Sequence, residues 1–210
     1  MTDRTTPTLE ARKLSCRRGR RRLFHELSFT LAAGEALHVA GPNGSGKTSL
    51  LRILAGLRNP DDGEVLWNGA AIRTQPDDFH AALCFLGHEN GVKAELSPRE
   101  NLRAAAALAG AGADAAEQAL ARMGLVQQAD ILCARLSAGQ RQRVALARLL
   151  LRPVSLWLLD EPCASLDYAS QRQVEGILSA HVRAGGMVVF TTHQSLSLDG
   201  LAVRRLELVA

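Results

Sequence analysis

Short apolar runs alternate along this chain with stretches whose apolar residues recur at helical spacing. That alternation predicts an α/β fold on a largely parallel sheet. The runs read as strands are Leu27–Leu31, Glu35–Ala40, Glu64–Trp67, Ala82–Leu86, Leu156–Asp160, Met187–Thr192 and a last one near Val203–Val209. An N-terminal hairpin broken at Gly19 reads as antiparallel. From about Leu96 to Arg152 the pattern changes, with Ala, Leu and Arg dominating and no good strand visible. Ser97-Pro98-Arg99-Glu100 is a helix start: a serine N-cap, a proline at the first helical position, and a glutamate reaching back. The run from Asp114 to Glu117, after the breakers Gly110–Gly112, reads as a second start of the same kind. Ser137-Ala138-Gly139-Gln140 reads as a third, opening a long helix that ends near Arg152. The chain is therefore expected to be one domain, with a core over 1–95 and 153–210 and a helical lobe, 96–152, inserted between its strands.

Composition narrows the class. At 210 residues and 47% apolar, the chain can bury a large core, and only the first seven or so residues read as disordered. No stretch approaches the roughly 18 uninterrupted apolar residues of a membrane span, and the N-terminus has no apolar segment of the secretory kind. A cytoplasmic protein is expected. Cys16, Cys84, Cys133 and Cys163 lack paired spacing, so neither a zinc site nor a disulfide framework is indicated, and each reads as a small buried hydrophobe. The net charge of +4 rests on 22 arginines and three lysines, Lys47 among them. Arg17, Arg18, Arg20, Arg21 and Arg22 cluster around Gly19. A solvated hairpin turn, contact with anionic lipid headgroups and contact with nucleotide all remain open for this cluster. Nucleic acid fits less well, because no aromatic residues interleave with the arginines.

Chemistry enters at residues 41–48, Gly-Pro-Asn-Gly-Ser-Gly-Lys-Thr, which follow the apolar run ending at Ala40 and precede a helical stretch, Ser49–Leu57. Strand, glycine-rich turn and helix in this order form a phosphate cradle. Gly41, Gly44 and Gly46 can take backbone angles that turn successive N–H groups inward. Pro42, Asn43 and Ser45 complete the loop, and Ser49 lies on the following helix, whose N-terminus favours an anion. Lys47 supplies a point charge for the outer phosphates of ATP and Thr48 a hydroxyl for Mg²⁺.

Roughly 110 residues downstream, the apolar run Leu156–Leu159 ends in two acids, Asp160 and Glu161. Asp160 is placed to hold Mg²⁺ opposite Thr48, and Glu161 to polarise water towards the γ-phosphate. His193 follows another apolar strand at its carboxyl end, the edge where ligands bind in such sheets. Its imidazole could bond the γ-phosphate and help hold Glu161. Ser137, Gly139 and Gln140 make a capped helix start that is also an anion site. With one cradle already present, this second site is expected to serve the nucleotide of another copy, in a head-to-tail homodimer.

With these stretches in order, the chain resembles the ATP-binding subunits of ABC transporters along essentially its whole length. GPNGSGKT resembles Walker A, and LSAGQ (136–140) the signature, with Ala138 in place of the first glycine. LWLLDE (156–161) resembles Walker B, SLD (165–167) the D-loop, and His193 the switch histidine. The resemblance implies a P-loop NTPase core of α/β class, with a mainly parallel sheet, an N-terminal antiparallel β subdomain and an inserted helical signature lobe.

Within that family the chain is most similar to the haem exporter ATPases of bacterial cytochrome c maturation. The stretches concerned are EVLWNG (64–69), FLGHENGVK (85–93), LSPRENL (96–102), LSAGQRQRVALARL (136–149), LWLLDEP (156–162) and TTHQ (191–194). His88 stands where most ABC ATPases carry glutamine. Imidazole is a poor Mg²⁺ ligand, so a relay or water-mediated contact is expected of it. Arg18 falls where an aromatic residue usually stacks on adenine, and its guanidinium is expected to stack instead.

The resemblance implies a peripheral ATPase on the cytoplasmic face of the bacterial inner membrane. Its implied partners are the integral proteins CcmB and CcmC with CcmD, and the haem chaperone CcmE downstream. His88–Leu96 and the Ser97 helix are expected to form the docking groove for a partner's cytoplasmic helix. The alternatives are an ABC ATPase for lipid or drug export and, further off, a soluble ABC ATPase acting on nucleic acid or the ribosome. A P-loop kinase would leave Leu136–Gln140 idle.

Overall fold

The computed structural model describes residues 6–209; the start read as disordered falls mostly outside them. The described residues form two compact units, 6–85 with Val154–Glu161 and 175–209, and Leu86–Pro153 with Pro162–Val174.

The first unit holds two sheets. Strands β1 (Thr8–Arg18), β2 (Arg21–Ala32), β4 (Asp62–Trp67) and β5 (Ala70–Ala71) make an antiparallel sheet in the order β2-β1-β4-β5. The second sheet runs β6-β7-β8-β3-β9, from β3 (Ala36–Ala40), β6 (Leu83–Leu86), β7 (Leu156–Asp160), β8 (Met187–Thr191) and β9 (Val203–Glu207). Its pairs β7–β8, β8–β3 and β3–β9 are parallel. β7 and β8 are buried at every position, as parallel strands covered on both faces must be. Helix α1 (Lys47–Leu54) buries Leu50, Leu51, Ile53 and Leu54 in one core with Leu9, Leu37, Leu156, Leu158 and Val189. The hairpin between β1 and β2 turns on Gly19, whose φ of +60° meets what a two-residue loop with a leading glycine needs.

In the second unit, α3 (Pro98–Leu108), α4 (Ala115–Arg122) and α5 (Ala138–Ala147) pack on one another. They bury Leu102, Ala106, Ala119, Leu120, Val144 and Leu146. Ser97 and Ser137 each make the full reciprocal cap with the residue three further on. This unit begins at Leu86, ahead of the expected Leu96, and takes in Pro162–Val174 as well.

Three expectations change, and one helix is new. Asp114 is not a capping box: it precedes α4 in helical conformation (φ −89°, ψ −4°) and makes no side-chain cap bond, whereas a cap residue sits in the β region. Glu117 is engaged elsewhere, by Arg99 at 2.8 Å and Arg103 at 3.0 Å. Ala82 ends a helix, α2 (Pro76–Ala82), rather than starting a strand; Pro76 in its first turn and two acids beside it are helix-start chemistry. The helix after the glycine loop begins at Lys47, two residues before Ser49. Helix α6 (Tyr168–Arg183) was not anticipated, although Val174, Leu178 and Val182 form a buried stripe at four-residue spacing. No helix among the described residues is long and apolar enough to cross a membrane.

Candidate active site

β3 delivers the chain into the glycine loop, and the loop's shape excludes side chains at defined points. A Cβ on Gly41 (φ +140°) would lie 2.6 Å from the Leu208 carbonyl oxygen and 2.8 Å from Ser45 Oγ. Gly46 (φ +106°) is the residue before α1, and a Cβ there would meet Leu23 at 3.0 Å. Gly44 takes φ +78°. The Lys47 ammonium ties the loop into a ring, donating to Gly41 O at 2.8 Å and Pro42 O at 3.2 Å. Helix α1 has no side-chain cap and no acid in its first turn, so its free amides and dipole suit an anion. Ser45 Oγ is buried without a hydrogen-bond partner among the described residues. Asn43 and Pro42 are exposed on the loop, and Ser49 Oγ lies 3.5 Å from the Arg58 guanidinium.

The acids arrive from β7. Thr48 Oγ1 donates to Asp160 Oδ2 at 2.7 Å. Parallel pairing of β7 with β8 sets Asp160 opposite Thr191, and Thr191 Oγ1 donates to Asp160 Oδ1 at 2.6 Å. The same hydroxyl oxygen accepts from the Glu161 N–H at 3.0 Å. Glu161 has φ +55°, a left-handed conformation costly for a residue with a side chain. That turn carries its carboxylate to His193, whose N–H donates to Oε2 at 3.3 Å and whose Nε2 lies 3.5 Å from Oε1. The structure thus brings together Lys47, Thr48, Asp160, Glu161 and His193. The Thr48 and Asp160 oxygens are the hard donors that Mg²⁺ takes, and the pair fits that ion.

In the second unit, Ser137 Oγ accepts from Gln140 N at 3.1 Å and Gln140 Oε1 accepts from Ser137 N at 2.8 Å. A Cβ on Gly139 would lie 2.7 Å from the Ser165 carbonyl oxygen. Gln142 donates to Pro162 O at 2.9 Å, so α5 holds both ends of the segment 162–165. Asp167 caps α6 by accepting from Ser170 N at 2.8 Å, and its bonds to Ser170 lower its pKa. Arg18 ends β1, exposed and opposite Arg21.

Known proteins resemble the chain over most of its length. Residues 24–164 match the ABC transporter family model. The cytochrome c biogenesis ATP-binding export protein CcmA of Dechloromonas aromatica is 52% identical over 202 residues, covering 95% of this chain and 99% of that protein. The chain belongs to the CcmA family of ABC ATPases. A bifunctional cytochrome c-type biogenesis protein, CcmAE, of Salmonella choleraesuis is 50% identical over 200 residues, 95% of this chain and 59% of that one. Among solved structures, an ABC transporter ATP-binding protein from Pyrococcus furiosus superposes with a TM-score of 0.79 at 27% identity, covering 96% of this chain and 97% of that one.

For this CcmA-family chain, sequence reasoning passed over Thr191. Its signal was present, two hydroxyl residues closing an apolar strand just before His193, but its partner depends on strand register. Behind the acids lie two stacked ring pairs. Trp157 stacks on His181 with centroids 3.7 Å apart, and His38 on Phe190 at 5.1 Å. Burial pushes the His181 imidazole down to about 4, against a weaker opposing bond with the Met187 backbone. Burial lowers His38 as well.

Proposed function

We propose that this chain is the ATP-hydrolysing subunit of a membrane ABC complex of haem export and cytochrome c biogenesis, powering release of the haem-loaded chaperone. The observation that carries this reading is the linked set Thr48–Asp160–Thr191–Glu161–His193 beside a glycine loop, in a chain of the CcmA family.

Gly41 to Ser49 would cradle the phosphates through the loop amides, with Lys47 on the outer phosphates. Thr48 and Asp160 would hold Mg²⁺, whose charge offsets that of the triphosphate. Glu161 would orient and polarise the attacking water, and His193 would keep that carboxylate in place and bond the γ-phosphate. Ser137, Gly139 and Gln140 would face the nucleotide of a second copy, head to tail. Their cap engages the Ser137 and Gln140 N–H groups internally, which leaves the first-turn amides of Ala138 and Gly139 for the anion. Arg18 would stack on the base. The chain would act as a single ABC ATPase domain whose helical part carries the signature.

The complex would sit at the cytoplasmic face of the bacterial inner membrane, this subunit peripheral, with CcmB and CcmC, CcmD, and CcmE downstream. The name CcmAE, borne by one relative as a single chain, supports the link to CcmE. Purification of the tagged full chain from membranes tests the assignment. Integral proteins resembling CcmB and CcmC should accompany it, and an unrelated permease in their place would move the chain to lipid or drug export.

A further inference from the structure

The tip of the β1–β2 hairpin carries an electrostatic cost that the fold leaves uncompensated. Arg17 faces Arg22 and Arg18 faces Arg21 across the two strands. Like charges directly opposite in an antiparallel pair are destabilising. Among the described residues no carboxylate forms an ion pair with any arginine from 17 to 22; Asp61 accepts only from the Arg17 backbone N–H, at 2.6 Å.

The hairpin is nevertheless held firmly in place. Arg58 donates to Arg17 O at 2.7 Å and reaches Ser49 Oγ on α1 at 3.5 Å. Leu23 and Phe24, just beyond the arginines on β2, pack against Gly46 so closely that a Cβ there would stand 3.0 and 3.3 Å from them. The consequence is a specific placement: Arg21 Nη1 lies 3.9 Å from where a Cβ on Gly44 would sit. The Arg21 guanidinium, with no anionic partner among the described residues, thus lies beside the middle of the phosphate loop.

We propose that Arg21 binds the phosphate chain of the nucleotide, adding a guanidinium fork to the loop amides and Lys47. The proposal rests on reading residues 41–48 as the triphosphate cradle. Guanidinium–phosphate bonds are charge-assisted and can be bidentate, and a bound anion at this tip offsets the repulsion between the opposed arginines. The contact is to phosphate, so it is blind to the base.

The test is calorimetric titration of the full chain with MgATP, MgADP and MgGTP, together with thermal melting of the nucleotide-free chain. Arg21→Gln should raise the Kd of all three nucleotides about tenfold, as loss of a charge-assisted bond does. Arg20→Gln, the same charge change on the hairpin loop, should move them less than twofold. The free Arg21→Gln chain should melt at or above the parent, because a like-charge pair has been relieved. Unchanged affinity, an equal loss with Arg20→Gln, a loss confined to one base, or a lowered melting temperature of the free variant would each overturn the assignment. Lys47→Ala separates the two readings. If it abolishes binding while Arg21→Gln does not weaken it, only the role of Arg21 falls; if neither weakens binding, the cradle itself is misread.

Discussion

The Thr191 hydroxyl donates to Asp160 at 2.6 Å, from a neighbouring strand and within the buried end of the sheet. With Thr48 on the other carboxylate oxygen at 2.7 Å, each oxygen of Asp160 accepts from one hydroxyl. Thr191 touches no expected substrate atom and acts as a positioning residue for Asp160 and for the Glu161 backbone. Thr191→Val keeps the shape but leaves a buried carboxylate oxygen and an amide without a partner, a loss of about 1–3 kcal/mol. Denaturant unfolding should show that loss, and ATPase activity of the complex should fall about tenfold or more. Thr191→Ser, which returns the hydroxyl, should recover most of both.

Glu161 is the candidate water-polarising group. Glu161→Gln keeps the size and backbone while removing the base, so hydrolysis should slow by about 10²- to 10⁴-fold. Nucleotide affinity measured by titration should stay close to that of the parent. Hydrolysis at the parental rate would assign the base elsewhere.

Gly139 has a steric duty apart from any ligand. A methyl group there meets the Ser165 carbonyl oxygen at 2.7 Å, and backbone gives way poorly. Gly139→Ala should destabilise the chain by about 1–3 kcal/mol. Ala138→Gly, which restores the commoner signature residue next door, should cost no more than about 1 kcal/mol. Paired melting curves distinguish the two.

The capping residues should separate cleanly. Ser97→Ala and Ser137→Ala each remove a reciprocal cap and should cost about 1 kcal/mol. Asp114→Ala removes no cap bond and should change stability by less than about 0.5 kcal/mol in the same denaturant assay.

His181 makes the fold acid-sensitive. Its pKa falls to about 4 in the folded chain, against roughly 6.5 when unfolded, so the unfolded state takes up the proton first. The contribution is complete above about pH 6.5 and is lost as pH falls from there towards 4, by at most about 3 kcal/mol. Melting temperature followed from pH 7.5 to 4 should decline over that interval. His181→Phe, which keeps a ring against Trp157, should flatten the decline.

What could be read along the chain was local. The glycine spacing of 41–48, the apolar run ending in Asp160 and Glu161, and the serine caps at 97 and 137 each express their physics within a few residues. Steric freedom at glycine, alternation or continuity of apolar positions, and side chains reaching back one helical turn need no distant partner. Even there, the local signal at Asp114 and Glu117 gave way, because Arg99 and Arg103 compete for the same carboxylate.

The sequence by itself determined the α/β class, the phosphate loop, the acidic strand end and the family. Only the tertiary structure decided which groups meet: Thr191 with Asp160 through the register of β7 on β8, Gly139 with the Ser165 carbonyl, and Arg21 with the loop at Gly44. These contacts join residues far apart along the chain. Strand register and core packing set them, and neither leaves a periodic trace in the sequence around the residues concerned.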